Sequence, residues 1–345
     1  MSPARPSHDR RDFGDPHPWP VAITIPACNE AAHILRCLDA ARTALRGRGG
    51  IVLAVNGSQD ATWDKARTWF EETRTPGILL DLPITPAGGV GAVRHHAVTA
   101  CARQLTPGGA VMTTDADSTV FPDWVDANLD ELRHADLICG TVIADPTEFA
   151  RLPPSIARLG AIEGEYVALT LAARRLLAPI PHDPDPSHLN EPGASLAFTM
   201  PLYRDVGGFP ALTGSEDRIF AATAEARAWR LRHSAQARVS TSCRLEGRAP
   251  GGMAEALAGR ITGADPLVDE TLEPAAETLL RARLHHARRE CLSRGRGAES
   301  ALAAIETRLA AIERKRMRLS DVARETPLLA RELSGLTGPE ERETA

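Results

Sequence analysis

Short apolar runs rich in β-branched residues alternate with amphipathic helical segments over the first 150 residues, and this alternation most constrains the fold. The apolar runs predict strands, and the segments between them have the spacing of helices. The clearest strands are "VAITI" (21–25), "IVLAV" (51–55), "AVMTT" (110–114) and "DLICGTVIA" (136–144). Strands that are apolar throughout and separated by helices are typical of a parallel sheet covered on both faces. The pattern therefore predicts an α/β fold with a doubly wound, mostly parallel sheet.

The pattern changes after residue 153. A helix is predicted over 155–177, followed by the loop "APIPHDPDPSHLNEPG", the strand "ASLAFTM" and a helix at "SEDRIFAATAEA" for which Ser215 is the expected cap. From residue 254 onward Ala, Arg, Glu and Leu dominate, and a stripe of apolar residues predicts helices. We expect a polar, disordered leader at 1–19, a main domain at 20–253 with halves 20–150 and 151–253, and a helical appendage at 254–345. The appendage would pack on the domain or on a twin subunit, as a homodimer.

Composition and charge narrow the classes of protein that fit. The 345 residues carry a formal net charge of −5, so no global charge points to nucleic acid or to an anionic membrane surface. The six cysteines form no C-x-x-C pair, which favours a reduced, cytoplasmic protein over a disulfide scaffold or a zinc module. The N-terminus lacks the apolar core of a signal peptide. No uninterrupted apolar run is long enough to span a bilayer, so no transmembrane segment is expected.

Polar residues and glycines follow four of the predicted strands, where ligands bind in open parallel sheets. After the predicted strand "AVMTT" (110–114), Asp115 and Asp117 flank one residue. Two close carboxylates raise each other's pKa unless a cation neutralises them. Oxygen ligands suit Mg2+ or Mn2+, which bridge carboxylates to substrate phosphates. The alternative is a helix cap and an exposed aspartate.

Four further groups each have a functional and a purely structural interpretation. The turn "GGVGAVR" allows close backbone approach, and Arg94 would bind phosphate; a tight turn is the alternative. Glu216 and Asp217 suit either the positive end of a helix dipole or a general base that deprotonates a hydroxyl. Arg244 and Arg248 would hold a diphosphate or form a solvated turn. His233 would be a third metal ligand or a surface residue.

The order of these groups resembles family 2 glycosyltransferases of the GT-A fold. The blocks are "VAITIPACNEAAHILRCLDA", "VNGSQDAT", "GGVGAVRHHAV", "DADSTVFPDWV", "GASLAFTMPLYRDVGGFP" and "SEDRIFAATAEA", over about 20 to 250. The resemblance implies an inverting enzyme that binds a nucleotide-sugar through its N-terminal half and an acceptor through its C-terminal half. The acceptor would be a small molecule, a lipid-linked compound or a glycan. Missing membrane helices and a missing Q-x-x-R-W motif favour a non-processive enzyme.

The resemblance also implies roles for single residues. Arg94 would approach the nucleotide or its phosphates, Asp115 and Asp117 would form the D-x-D, with Asp117 the more direct ligand of Mg2+ or Mn2+, and Asp217 would be the catalytic base within the Glu216-Asp217 motif. The nucleoside pocket would be lined by Pro26, Ala27, Asn29, Glu30 and Asn56.

One position departs from the family pattern. The second-strand block usually begins with an aspartate that contacts a uracil edge, and here Val55 stands in its place. A valine side chain accepts no hydrogen bond, so the nucleotide stays open between UDP, GDP, dTDP and others, unless Asn56 or Glu30 substitutes.

Two other functions remain as alternatives. A sugar-phosphate nucleotidylyltransferase also combines a parallel sheet with metal-binding carboxylates, but it usually has a glycine-rich loop with a basic residue after the first strand, where this chain has "PACNE". A non-catalytic nucleotide-sugar binder would keep the sheet and could lose the base, whereas Asp115, Asp117 and Asp217 are all present.

Overall fold

A computed structural model describes residues 9–14, 17–82, 88–247, 252–295 and 297–336. This described part divides into two compact units. The first comprises residues 1–151 and 185–256, and the second comprises residues 152–184 and 257–345. The boundary at 256 lies near the predicted one at 253, and the segment 152–184 belongs to the second unit. The division of the main domain into donor and acceptor halves stays a prediction.

The first unit is built on a mixed sheet that has nine strands within the described residues. In chain order the strands are β1 (Arg10–Phe13), β2 (Trp19–Ala27), β3 (Gly49–Asn56), β4 (Gly77–Leu82), β5 (Leu105–Thr113), β6 (Ser118–Val120), β7 (Leu137–Ala144), β8 (Leu196–Thr199) and β9 (Leu231–Thr241). Their order across the sheet is β1-β4-β3-β2-β5-β8-β7-β9-β6. Strands β4, β3, β2 and β5 are parallel, and β7 and β9 run in the same direction. The predicted mostly parallel α/β sheet is confirmed.

Helices follow most strands, as the alternation predicts. In chain order they are α1 (Ile34–Leu45), α2 (Thr62–Thr73), α3 (Gly89–Cys101), α4 (Trp124–Glu131), α5 (Pro146–Phe149), α6 (Pro154–Leu177), α7 (Met200–Val206), α8 (Glu216–Ala226), α9 (Met253–Thr262), α10 (Ala275–Arg294), α11 (Glu299–Ala311) and α12 (Leu319–Leu336). Helices α1, α2 and α4 pack on one face of the sheet, and α3, α7 and α8 pack on the other. Alternate residues of β2 enter these two cores: Ile23 lies in the first and Ala22 in the second, and both are fully buried. Burial on both faces explains why the strands are apolar throughout.

The predicted disordered leader is wrong for residues 10–13. They form β1, which pairs antiparallel with β4, and Phe13 stacks on Phe70 with ring centroids 4.9 Å apart. The sequence did not predict this strand because three of its four residues are charged. An edge strand needs only one apolar residue facing the core. Residues 1–8 and 15–16 of the predicted leader lie outside the described residues.

The second unit is helical, in keeping with the predicted appendage. Tyr166 on α6 donates a hydrogen bond to the carbonyl of Glu273 at 2.6 Å, and Arg281 on α10 pairs with the carboxylate of Glu273 at 2.6 Å. The apolar stripe at Leu302, Ile305 and Leu309 lies on α11 and is half-buried. None of the described helices is long and apolar enough to cross a membrane.

Candidate active site at the carboxyl ends of the strands

The loops after β2 and β3 are joined into one wall by side-chain hydrogen bonds. Asn29 has a positive φ of 54°, and its N–H donates to the Ser58 hydroxyl at 2.9 Å. Its side-chain Oδ1 accepts from the N–H of Gln59 at 2.8 Å. The N–H of Glu30 donates to the Thr62 hydroxyl at 2.8 Å. The motif "PACNE" is therefore held in place by the block "NGSQDAT".

The residues predicted for the nucleoside pocket lie along this wall. Pro26, Ala27, Glu30 and Asn56 are buried, and Asn29 is half-buried. Their contact with a nucleoside stays a prediction. Glu30 accepts two hydrogen bonds from the guanidinium of Arg244, at 2.6 and 2.8 Å, so its carboxylate already has an internal partner.

Val55 is fully enclosed at the end of β3. It lies in register between Ala27 of β2 and Asp81 of β4, and only 1% of its surface is exposed. The position at which the family usually has an aspartate is therefore occupied here by an apolar core residue.

Arg94 is buried and directs its guanidinium at three elements. Its Nε donates to Glu216 at 2.8 Å, its Nη1 to the Thr113 hydroxyl at 2.6 Å, and its Nη2 to Asp115 at 2.5 Å. Burial opposes the charge of Arg94, but Asp115 and Glu216 outweigh it and raise the pKa of the guanidinium. Arg94 thus links the D-x-D to the E-D motif, whereas the sequence predicted a contact with nucleotide or phosphate.

Arg244 holds the second aspartate of the D-x-D. Its Nη2 lies 2.9 Å from Oδ2 of Asp117. The segment that carries Arg244 is fixed by Glu148 on α5, whose Oε2 accepts from the Ser242 hydroxyl and from the N–H of Cys243, both at 2.7 Å. Arg248, predicted beside Arg244, lies outside the described residues.

Carboxylates outnumber guanidinium groups in this cluster by five to two. We define the cluster by seven side chains: Glu30, Asp115, Asp117, Glu216, Asp217, Arg94 and Arg244. Burial and the nearby charge of Asp115 raise the pKa of Asp117 to about 6, against the opposing effect of Arg244. Excess negative charge and hard oxygen donors fit a divalent cation of the Mg2+ or Mn2+ type.

The predicted third metal ligand lies elsewhere. His233 on β9 has its Nε2 3.8 Å from a carboxylate oxygen of Glu191, and its ring meets that of His188 with centroids 5.0 Å apart. Across the described residues, no three or more His, Cys, Asp or Glu side chains are grouped so that they could hold a metal ion. The structure therefore brings Asp115 and Asp117 together without His233, and substrate oxygens would have to complete the coordination.

Asp217 lies in the first turn of α8, as predicted, and both of its oxygens are held. Oδ2 accepts from the N–H of Gly193 at 2.6 Å, and Oδ1 accepts from the N–H of Arg218 at 2.8 Å. Burial and then the charge of Glu216 raise the pKa of Asp217 to about 6, while Arg94 and the two N–H groups act in the opposite direction. A carboxylate with such a pKa is ionised at neutral pH and basic enough to take a proton from a hydroxyl.

The neighbours of Asp217 differ from the expectation in two ways. Ser215 makes no side-chain cap bond to α8, and its φ of +59° explains this, because a capping serine needs an extended backbone. The predicted cap is wrong. Glu216 is 4% exposed and its carboxylate accepts from Arg94, so it already has an internal partner, and its predicted catalytic role stays a prediction.

Sequence reasoning missed Thr113, Glu148 and Gly193. Glu148 and Ser242 are 94 residues apart, and no local pattern connects them. Gly193 carried a weak signal, since a glycine directly before a predicted strand suggests close approach of another group. A Cβ at residue 193 would lie 2.5 Å from Nη2 of Arg94 and 3.1 Å from Oδ2 of Asp217.

The family model for glycosyl transferase family 2 matches residues 22–189. These residues belong to that family. The predicted resemblance is confirmed, and the protein is a glycosyltransferase. A comparison with curated proteins finds no match.

Three solved structures illustrate what this glycosyltransferase is similar to. The mannosyltransferase PcManGT from Pyrobaculum calidifontis, in complex with GDP-Man and Mn2+, is 16% identical with a TM-score of 0.46, over 94% of this chain and 79% of that one. S. aureus TarS 1–349 in complex with UDP-GlcNAc is 12% identical with a TM-score of 0.47, over 91% and 92%. Glucosyl-3-phosphoglycerate synthase from Mycobacterium tuberculosis, with Mn2+, UDP and phosphoglyceric acid, is 18% identical with a TM-score of 0.43, over 72% and 82%.

Proposed function

We propose that this glycosyltransferase moves one sugar from a nucleotide-diphosphate sugar to an acceptor hydroxyl, with inversion at the anomeric carbon and with Asp217 as the general base. The observation that carries the proposal is the state of Asp217. Its two oxygens are oriented by the N–H groups of Gly193 and Arg218, and its pKa is raised to about 6. These features suit a base that is ionised before the reaction and protonated after it.

Asp115 and Asp117 would hold Mg2+ or Mn2+ together with the donor diphosphate. A divalent cation at this place supplies charge neutralisation for the departing nucleoside diphosphate. The support within the chain is the excess of carboxylates around Asp117, whose pKa is raised by burial and then by the charge of Asp115. Arg244, whose Nη2 lies 2.9 Å from Oδ2 of Asp117, would donate to a phosphate oxygen bound at the same cation.

The acceptor hydroxyl would approach from the side of Asp217. Asp217 removes the proton as the oxygen attacks the anomeric carbon, and a single displacement inverts that centre. The nucleoside would bind along "PACNE" and Asn56. Because Val55 is enclosed and its side chain accepts no hydrogen bond, the identity of the nucleotide's base stays open.

The proposal is tested by Asp217→Asn. Asparagine keeps the volume of the side chain but cannot take the proton, so we expect kcat to fall by about 10²- to 10⁴-fold. The dissociation constant for the nucleotide-sugar, measured by calorimetry with Mn2+ present, should stay near that of the wild type, because the proposed role of Asp217 is on the acceptor hydroxyl.

Asp130→Asn is the matched control, since Asp130 is an exposed aspartate on α4 whose ion pair within the described residues is with Arg133 in the i,i+3 position. It should leave both measurements unchanged. Near-normal turnover in Asp217→Asn would remove Asp217 from the role of base. Binding without transfer or hydrolysis by the wild type, over a broad panel of donors and acceptors, would favour a non-catalytic binder.

A further inference from the structure

We propose that Arg94 is a positioning residue: it tethers the first turn of α8 through Glu216, and so holds Asp217 in place beside the D-x-D. The proposal rests on the proposed function only for the role of Asp217 as a base. It assigns to Arg94 and Glu216 a task that is distinct from contact with substrate.

The contacts of Arg94 reach three parts of the chain from one guanidinium group. Thr113 ends β5, Asp115 lies in the following loop, and Glu216 begins α8. Only 4% of the Arg94 side chain and 5% of the Glu216 side chain are exposed, so this ion pair is shielded from solvent. A bidentate or forked guanidinium in such a setting fixes the direction of its partners as well as their distance.

The first turn of α8 lacks a side-chain cap. Ser215 occupies the cap position with a left-handed backbone, and its side chain makes no bond to the first turn. The free N–H groups at the start of a helix are normally satisfied by such a cap. The bond from Arg94 to Glu216 takes over the task of fixing this turn.

Asp217 and Arg94 also approach each other directly. Both lie against Gly193: a methyl group at Cα of residue 193 would be 2.5 Å from Nη2 of Arg94 and 3.1 Å from Oδ2 of Asp217. Asp217 therefore sits between a positive group on α3 and a negative group, Glu216, on its own helix. The N–H groups of Gly193 and Arg218 complete its surroundings.

This arrangement predicts opposite effects of the two substitutions on the pKa of Asp217. Arg94→Met removes a positive charge and should raise that pKa, whereas Glu216→Gln removes a negative charge and should lower it. Each shift should be about 1 pH unit or more, as is usual for a close charge. The double variant removes one charge of each sign, so the pKa should return most of the way to that of the wild type.

Two measurements read this out. The carboxyl ¹³C shift of Asp217, assigned with Asp217→Asn, gives its pKa in the full-length protein without substrate. The acid limb of kcat/KM against pH gives it during turnover. Loss of the tether should also lower kcat in both single variants, and Arg94→Lys, which keeps the charge but not the fork, should restore the acid limb more fully than kcat.

Arg94→Met leaves Asp115 and Glu216 without a buried partner and is the variant most at risk of misfolding, which circular dichroism would detect. Glu216→Gln and the double variant then carry the comparison. An unchanged Asp217 titration in Glu216→Gln, or a double variant shifted no differently from it, would overturn the inference. Failure of the proposed function is distinct: Asp217→Asn would then keep its activity, whatever the titrations show.

Discussion

At the scale of single residues, Asp117 and Asp217 share one property: burial beside another carboxylate raises the pKa of each to about 6. The physical cause is the loss of water around a charge, with like charge nearby. Groups with such values often mark functional sites, because an enzyme needs a base that changes its protonation near the working pH.

The raised pKa of Asp217 predicts the pH dependence of turnover. The base must be ionised, so kcat/KM should be full above pH 7 and should fall tenfold per unit below about pH 6, as the carboxylate takes up a proton. The measurement is initial rate at low donor concentration from pH 4.5 to 8. A profile that stays flat down to pH 4.5 would show that Asp217 keeps an ordinary pKa or is not the base.

Removal of the Arg244 side chain should change the affinities for Mn2+ and for the nucleoside diphosphate in opposite directions. Its guanidinium lies 2.9 Å from Asp117 and pairs with Glu30, so it repels a cation at that place. Arg244→Ala should therefore bind Mn2+ more tightly without nucleotide, by up to roughly tenfold if the charges act through an intermediate dielectric. The affinity for the nucleoside diphosphate with Mn2+ should fall, because a phosphate contact is lost.

Both affinities can be measured by calorimetry, and Mn2+ binding also by electron paramagnetic resonance. Arg36→Ala is the control, since Arg36 pairs with Asp145 and is 44% exposed. Two affinities that fall together in Arg244→Ala would indicate general damage to the loop, and the two roles of Arg244 would have to be given up.

At the scale of elements, the loop before β8 lies against both Asp217 and Arg94 at Gly193. Gly193→Ala would place a methyl group 2.5 Å from Nη2 of Arg94 and 3.1 Å from Oδ2 of Asp217, so both side chains would have to move. We expect kcat to fall at least tenfold, with a smaller change in nucleotide-sugar affinity, since misplacement of about 1 Å can cost a hundredfold in rate. Steady-state kinetics and calorimetry measure the two quantities.

Gly160→Ala on α6 is the matched control. A Cβ at residue 160 would meet no heavy atom within 4 Å, and alanine is favoured over glycine inside a helix. This variant should keep its activity and gain about 0.5–1 kcal/mol in unfolding free energy, read from denaturant titration. A loss of activity as large as in Gly193→Ala would show that the measurement does not report on the site.

The elements also show how far local pattern reaches. Apolar alternation predicted β2, β3, β5 and β7 because their residues are buried on both faces. It did not reveal β1, which is polar, or β6, which has only three residues. The first half of β9 likewise breaks the apolar pattern, because it contains Arg232 and His233.

At the scale of the whole molecule, the order of the sequence blocks predicted where the candidate site lies but not which of its side chains pair with each other. The blocks after successive strands predicted that "PACNE", "NGSQDAT", "GGVGAVR" and the D-x-D would meet at one edge, since parallel strands end together. The bond from Arg94 to Glu216 spans 122 positions, and the pair of Arg244 and Glu30 spans 214. Such partners are brought together by the packing of the sheet, so a single sequence does not reveal that Arg94 and Arg244 also pair with carboxylates.

The central claim is cation-assisted transfer with inversion, and the anomeric proton of the sugar tests it most directly. The protein is incubated with Mn2+, a panel of nucleotide-sugars and water or simple alcohols as acceptors, and the first product is observed by ¹H NMR before it mutarotates. For the donor that binds, we predict a product of opposite anomeric configuration, absent with EDTA and reduced about 10²-fold or more in Asp217→Asn. A product with retained configuration, or one formed equally well with EDTA present, would contradict the account.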